Sequence, residues 1–260
     1  MSIFRVAGSK LLKFNNVTFK YPEDDYAIIR NLSFQVEERD FVSIIGASGC
    51  GKSTIFRIIN GLESNVEGEV LFNDKQVNKL SNYSAYMPQN NLLFPWRTIG
   101  ENLAIPMEIK KINKLDREKA IDKILDEIGL TKYKNKYPRD LSGGMKQRVA
   151  FGRTLLTGSE LLLLDEPFSA LDSLTKMSMQ EWLLEQYIHL NKTVLFITHD
   201  VEEAIFLSKY IYVVVDKPIT HLEKIEVPMG YPRDRKMLKR NDIIELKENL
   251  INKLRQKVEI

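Results

Sequence analysis

Cysteine is nearly absent: Cys50 is alone among 260 residues, so no disulfide can close within the chain. That usage fits a reducing compartment and excludes a small disulfide-stapled secreted scaffold. Long apolar runs are missing too. Residues 210–215 and 161–164 are among the longest uninterrupted ones, far short of the ~18 residues a membrane span needs. The first fourteen residues, Met1 to Phe14, lack the apolar centre of a secretory signal. Charge of one sign is also lacking, with 38 Lys+Arg against 35 Asp+Glu giving +3. Such balance argues against a nucleic-acid-coating protein. The small excess sits at one end, where residues 217–260 hold 11 basic and 7 acidic side chains. No repeat, low-complexity tract or Gly/Ser linker divides the chain. With 43% hydrophobic and 28% charged residues, the expectation is a soluble, folded cytoplasmic protein.

Short apolar runs alternate with helical patterns. Phe41–Ile45, 161–164 and 193–198 read as buried strands, each too short for a helix. Strands separated by helices imply a parallel sheet with ligand sites at its carboxyl edge. Residues 12–19, 32–36 and 68–72 show strand alternation rather than a helical pattern, suggesting an antiparallel sheet. Helices are expected over about 53–60, stopped by Gly61, and over 116–128, capped by Gly129. A last amphipathic helix carries Ile243, Leu246, Leu250, Leu254 and Val258, after a break at Tyr231-Pro232. The basic content of that helix reads as a solvated face. The expected fold is α/β: one domain over 1–260 with a mostly parallel core, an antiparallel β subdomain, a helical subdomain near 90–160 and a C-terminal extension over 217–260.

Gly46-Ala47-Ser48-Gly49-Cys50-Gly51-Lys52-Ser53-Thr54 follows a strand and opens a helix. This G-x-x-x-x-G-K-[ST] spacing wraps a triphosphate in backbone N–H groups, and the helix N-terminus adds partial positive charge. Lys52 can reach the β- and γ-phosphates and Ser53 can ligate Mg²⁺. Asp165-Glu166 ends another buried strand. Adjacent strand residues point to opposite faces, so the two acids take different tasks. Asp165 suits the Mg²⁺ shell and Glu166 suits polarising the attacking water. His199 ends the next strand on the same rim, where it suits a γ-phosphate contact. His189 and His221 lack such a context and read as structural.

Leu141-Ser142-Gly143-Gly144-Met145-Lys146-Gln147-Arg148 offers a hydroxyl and bare backbone N–H groups at a helix start, a second anion site. The segment resembles the signature of the ATP-binding cassette (ABC) ATPases. That resemblance implies two head-to-tail copies of the chain burying two ATP molecules, with Ser142, Gly143, Gly144 and Gln147 facing nucleotide held by the other copy. It further implies that Tyr21 stacks on adenine, with Tyr26 a competing candidate. Gln89 in Met87-Pro88-Gln89 would join the Mg²⁺ shell and the catalytic group, and Asp172 in Ser169-Ala170-Leu171-Asp172 would signal across the dimer. The segments 91–98, 165–175 and 231–235 are similar to the nitrate/sulfonate/taurine branch of importer ATPases. The implied activity is ATP hydrolysis driving uptake of a small solute, such as a nitrate-, sulfonate- or taurine-like anion or a thiamine-pyrimidine precursor. The implied partners are a permease, through which the chain sits on the inner face of the cell membrane, and indirectly an extracytoplasmic solute-binding protein. In such members the segment 89–98 lies near the groove receiving a permease helix. Apolar Leu92, Leu93, Phe94 and Trp96 fit this, with at least one of Phe94 and Trp96 facing outward.

Two other classes share parts of this pattern. A non-transport ABC ATPase acting on nucleic acid would carry coiled-coil or zinc interruptions, or two cassettes, and neither is present. A small-molecule kinase would share the phosphate loop but leave residues 142–147 without a purpose.

Overall fold

The structure, a computed structural model, describes residues 10–169 and 171–255. The chain begins with β1 (Lys10–Phe19) and β2 (Ile29–Glu37), paired antiparallel, then runs through β3 (Phe41–Ile45) into α1 (Lys52–Ile59). It returns to the first sheet as β4 (Glu67–Phe72) and β5 (Lys75–Gln76), giving the order β2-β1-β4-β5. In β1, Leu12 and Phe14 are buried and then Val17 and Phe19, one residue out of phase. Asn16, with φ 50, sits at the shift in register and resets the alternation.

After β6 (Ser84–Met87) come three helices, α2 (Ile99–Ile109), α3 (Lys114–Glu127) and α4 (Gly143–Leu155). The expected burial of Ile121, Ile124, Leu125 and Ile128 on one face is observed, and Gly129 follows at φ 68. The chain then alternates β7 (Leu161–Asp165), α5 (Ser173–Leu190), β8 (Thr193–Ile197), α6 (Val201–Leu207) and β9 (Tyr210–Val214). Antiparallel β10 (Leu222–Glu226) closes the second sheet, ordered β10-β9-β3-β8-β7-β6, and α7 (Asn241–Arg255) ends the described chain.

Every residue of β3, β7 and β8 is buried, as strands covered on both faces require. Alternation divides them between two cores. Leu161 and Leu163 pack with α1 and the antiparallel sheet, whereas Leu162 and Leu164 pack with the helices α2 to α5. A third core joins β9 to α6 and α7 through Ile243 and Leu250, with Leu246 and Leu254 packed against it. Val258 lies outside the described residues. Two lysines of α7 are engaged with the molecule itself: Lys247 pairs with Glu202 at 2.6 Å and Lys253 with Glu223 at 2.8 Å.

Candidate functional site

Because β3, β6, β7, β8 and β9 run parallel, their carboxyl ends meet along one edge. Register fixes the order there. Met87 lies opposite Leu164, Asp165 opposite Ile197, and Ile44 opposite Ile197 on its other side. Gln89, Asp165, Glu166, His199 and the loop after Ile45 are therefore neighbours although they span 150 positions of sequence.

The phosphate loop packs too tightly for side chains. A Cβ on Gly46 would lie 2.8 Å from Val214 Cβ, and one on Gly51 would lie 2.6 Å from Ile28 Cγ2. Gly51 also adopts φ 106, which a side chain would strain. Lys52 is buried, its ammonium donating to the carbonyls of Gly46 and Ala47 at 2.9 Å each. The cation thus lies inside the ring of loop amides, where an anion would replace carbonyl oxygens as its partner. Ser48 and Gly49 are exposed at the loop tip, Cys50 is buried with Sγ 3.9 Å from Lys52 Nζ, and Ser53 opens outward. Thr54 is buried and shares a 3.3 Å hydrogen bond with the Tyr21 hydroxyl. Tyr21 therefore borders the phosphate loop, its ring edge-on to Phe19 at 4.8 Å, while Tyr26 is exposed.

Asp165 and Glu166 diverge as alternation requires. Asp165 stays on β7, buried, and accepts from the Tyr86 hydroxyl at 2.9 Å. Burial raises its carboxyl above the usual range, and hydrogen bonds from Ser53 and Tyr86 offset only part of this. The adjacent Glu166 charge raises it further, and Lys52 opposes. Glu166 leaves the strand at φ 44. Its Oε2 lies 3.3 Å from His199 Nδ1 and accepts from Gln89 Nε2 at 3.3 Å. Gln89 also donates to Ser169 Oγ at 3.4 Å. The edge accordingly gathers a carboxylate, an imidazole and a carboxamide around one exposed point, beside a hydroxyl and a second carboxylate.

Ser142 caps α4, accepting from the Met145 amide at 3.4 Å. Gly144 permits the start of α5 to approach: a Cβ there would lie 2.5 Å from Thr175 Cγ2. Asp172 caps α5 by accepting from the Thr175 amide at 3.1 Å, and hydrogen bonding from the Thr175 side chain and amide holds its carboxyl below the usual range. Gln147 departs from expectation. It is 6% exposed and its amide donates to the Pro167 carbonyl, so it braces α4 against the turn after Glu166 rather than lining an open nucleotide surface. Ala170, within the Asp172 loop, lies outside the described residues. His221 is exposed beside Asp216 at 3.2 Å, just before β10, whose Leu222 lies opposite Val214 at the carboxyl end of β9, whereas His189 lies at the C-terminal end of α5.

Sequence reasoning missed Tyr86 and the polar group beneath His199. Thr198, Glu203, Lys176 and Gln180 form that group, with Lys176 reaching Asp200 at 2.8 Å and Glu203 at 2.6 Å. Tyr86 carries a period-2 signal within β6, but its choice of Asp165 as partner depends on sheet order, which no local pattern encodes.

Residues 29–169 match the ABC transporter family. The chain is 40% identical over 208 residues to the aliphatic sulfonates import ATP-binding protein SsuB of Bacillus thuringiensis subsp. konkukian, covering 80% of this chain and 82% of the relative. It is 42% identical to the formylaminopyrimidine import ATP-binding protein ThiZ of Halalkalibacterium halodurans, covering 84% and 85%. The ATP-binding cassette MJ0796, solved as a dimer in a post-hydrolysis state with ADP and Pi, is 30% identical with TM-score 0.72, covering 85% of this chain and all of that one. The cbiO1 structure from Clostridium perfringens, part of the cbiONQ transporter complex, superposes with TM-score 0.76 over 96% of this chain; at 22% identity it speaks for the fold.

Proposed function

The chain belongs to the ABC transporter family, and from that premise we propose that it is the ATP-hydrolysing subunit of an importer for a small solute, working as an ATP-closed homodimer beneath a separate permease. The observation that carries the catalytic part is the meeting of Glu166, His199 and Gln89 at the carboxyl edge, next to the phosphate loop. The solute class is that of the sulfonate and formylaminopyrimidine relatives, small anions or thiamine-pyrimidine precursors. An extracytoplasmic binding protein would select it. Among the described residues no helix is long and apolar enough to cross a membrane, so attachment to the inner membrane face would run through the permease.

Mg²⁺ fits the donors present. Ser53, Asp165 and Gln89 would supply hard oxygen ligands, with ATP and water as the remaining donors. Among the described residues no cluster of three metal-binding acids, histidines or cysteines occurs. Burial, and to a lesser degree the Glu166 charge, raises the Asp165 carboxyl, and a divalent cation beside it would stabilise the ionised form. Bound there, the ion would neutralise charge on the β- and γ-oxygens.

In this reading Lys52 exchanges the Gly46 and Ala47 carbonyls for phosphate oxygens, while loop amides hold the remainder. Tyr21 supports the base. Glu166 accepts a hydrogen bond from the attacking water and orients it in line with the γ-phosphate. His199 donates to the γ-phosphate and, through its contact with Glu166, keeps that carboxylate aimed. Ser142 and Gly144 of the second copy close the site from the opposite side, and Asp172 couples the two sites.

Glu166→Gln tests the assignment. Nucleotide binding should persist while turnover falls by at least the ~10²-fold typical of a lost general base. Trapped ATP should hold two chains together, visible as a doubled molar mass by light scattering in Mg-ATP. Wild-type turnover in a variant that stays monomeric with ATP would remove Glu166 from its role.

A further inference from the structure

The His199 side chain is 56% exposed, so its aim depends on the backbone at either side. Both neighbours are tied down. The Thr198 hydroxyl, on a residue 2% exposed, donates to Glu203 Oε2 and accepts from the Asp200 amide at 3.0 Å. Asp200 caps α6 by accepting from the amides of Glu202 at 2.9 Å and Glu203 at 3.3 Å. Glu203, 4% exposed, also accepts from Gln180 Nε2 at 3.1 Å. Gln180 Oε1 in turn accepts from Arg235 Nη2 at 2.7 Å.

The direction of this relay is forced. Arg235 can only donate, and a Glu203 carboxylate can only accept, so the Gln180 amide has one satisfactory orientation. Without Arg235 the amide is free to flip, and a flipped carbonyl would face the carboxylate. Arg235 is itself fixed by Glu181 at 2.7 Å, by the Met177 carbonyl at 3.1 Å and by the Phe206 ring, 4.8 Å away. Two positions earlier, Arg233 is 7% exposed and anchors the segment to the end of α6. Its guanidinium donates to the carbonyls of Ile205 at 2.8 Å, Phe206 at 3.2 Å and Ser208 at 2.9 Å, and to Met229 at 2.7 Å.

We propose that Arg235 is a positioning residue for ATP hydrolysis: through Gln180, Glu203 and Thr198 it holds the turn that presents His199, making the segment after β10 part of the catalytic support. The proposal rests on the reading of His199 as the γ-phosphate contact. It differs from simple stapling of the C-terminal segment onto α5, which would alter stability and leave turnover per folded chain unchanged.

The test is steady-state ATP hydrolysis by the full chain, with nucleotide affinity and thermal melting measured alongside. Arg235→Ala should lower kcat about ten-fold, inside the ~10²-fold that a 1 Å misplacement can cost, with KM and nucleotide affinity within about two-fold. Arg235→Lys, which keeps one donor, should recover part of the loss. Gln180→Met breaks the relay while leaving Arg233 and Arg235 anchored, and should reproduce the fall in kcat; it carries the test if Arg235→Ala fails to fold. In a His199→Ala background, neither substitution should reduce kcat further, because the residue they position is gone. An Arg235→Ala enzyme at wild-type kcat, or an equal loss with and without His199, overturns the relay. Wild-type kcat in His199→Ala alone overturns the reading of His199 itself and the relay with it, so the two failures are told apart.

Discussion

At the residue scale, Asp165 and Glu166 show how one peptide bond separates two chemistries. Asp165 remains in the pleat, buried against Tyr86, while Glu166 turns out of the strand at φ 44 toward His199 and Gln89. Burying the ionised Asp165 carboxylate opposes folding. Its folded carboxyl is raised, so stability is greatest where the group is protonated and declines as pH rises through that raised value. Asp165→Asn should therefore melt at a higher temperature than the wild type at pH 7, with the gain vanishing below pH ~4, near the ordinary aspartate range. ATP turnover should fall by ~10²-fold or more, as for loss of a group aimed at developing charge. Differential scanning calorimetry at both pH values without nucleotide, paired with a phosphate-release assay, checks both halves. An equal melting difference at the two pH values would assign the effect to packing.

At the scale of elements, local signals were the legible ones. The phosphate loop, the buried runs that became β3, β7 and β8, and the α3 face of Ile121, Ile124 and Leu125 all follow from short-range pattern. The edge residues Asp165, Glu166 and His199 were legible as candidates because each follows or ends such a run, whereas Gln89 was named through the family resemblance alone. What escaped was contact between elements. Gln147 reads as a nucleotide contact until α4 is packed against the Pro167 turn, and Lys176 is an ordinary helical lysine until α5 meets α6. That lysine has a measurable signature. Burial alone would raise the Asp200 carboxyl, but Lys176 together with the amides of Glu203 and Glu202 outweighs it and holds Asp200 below its usual range. Burial likewise opposes the Lys176 ammonium, yet bonds from Asp200 and Glu203 hold it above its own. The carboxylate's contribution is present above ~3.9 and lost as pH falls through the lower folded value; the ammonium's is present below ~10.4 and lost as pH rises through the higher one. Both are in force at neutral pH. Lys176→Met should cost about 2 kcal/mol there, below the 3–5 of a fully buried pair because solvent screens part of it. The cost should shrink in acid, as pH falls below ~3.9 toward the lower folded value of Asp200. Urea melts at neutral and acidic pH measure this, and an undiminished cost in acid would show that the charge is irrelevant.

At the scale of the whole molecule, the proposed role requires a surface that passes force to a permease, and the exposed aromatic loop after β6 has the features such contact needs. Phe94 and Trp96 are 39% and 72% exposed and stack on each other, 5.1 Å apart at 12°. Leu92 is exposed as well, whereas Leu93 turns into the core. The loop carrying them is held from beneath. Asn102, fully buried, accepts from the Phe94 amide at 2.8 Å and donates to the carbonyls of Phe94 at 3.1 Å, Arg97 at 3.1 Å and Thr98 at 2.9 Å. From α4, Arg153 donates to the carbonyls of Asn91 at 2.7 Å and Leu92 at 2.9 Å. These bonds fix the backbone, so the aromatic pair is displayed with little ordering entropy left to lose on docking. The same α2 that provides Asn102 starts at a capping box between Thr98 and Glu101, which sets the loop's exit. Two exposed stacked rings on a rigid loop make an anchor of the kind that carries ~2 kcal/mol or more in a protein interface. Phe94→Ala with Trp96→Ala should therefore leave melting temperature, ATP binding and ATP-dependent dimerisation near wild type, because the rings project away from the bonds that hold the loop. Co-purification with the permease should weaken by at least the ~30-fold equivalent of 2 kcal/mol, and solute uptake in cells should fall with it. Asn102→Ala provides the complementary case: it keeps both rings but removes their support, so it should lose permease affinity and thermal stability together. Normal uptake by the doubly substituted chain, with the fold intact, would move the docking surface elsewhere on the helical layer.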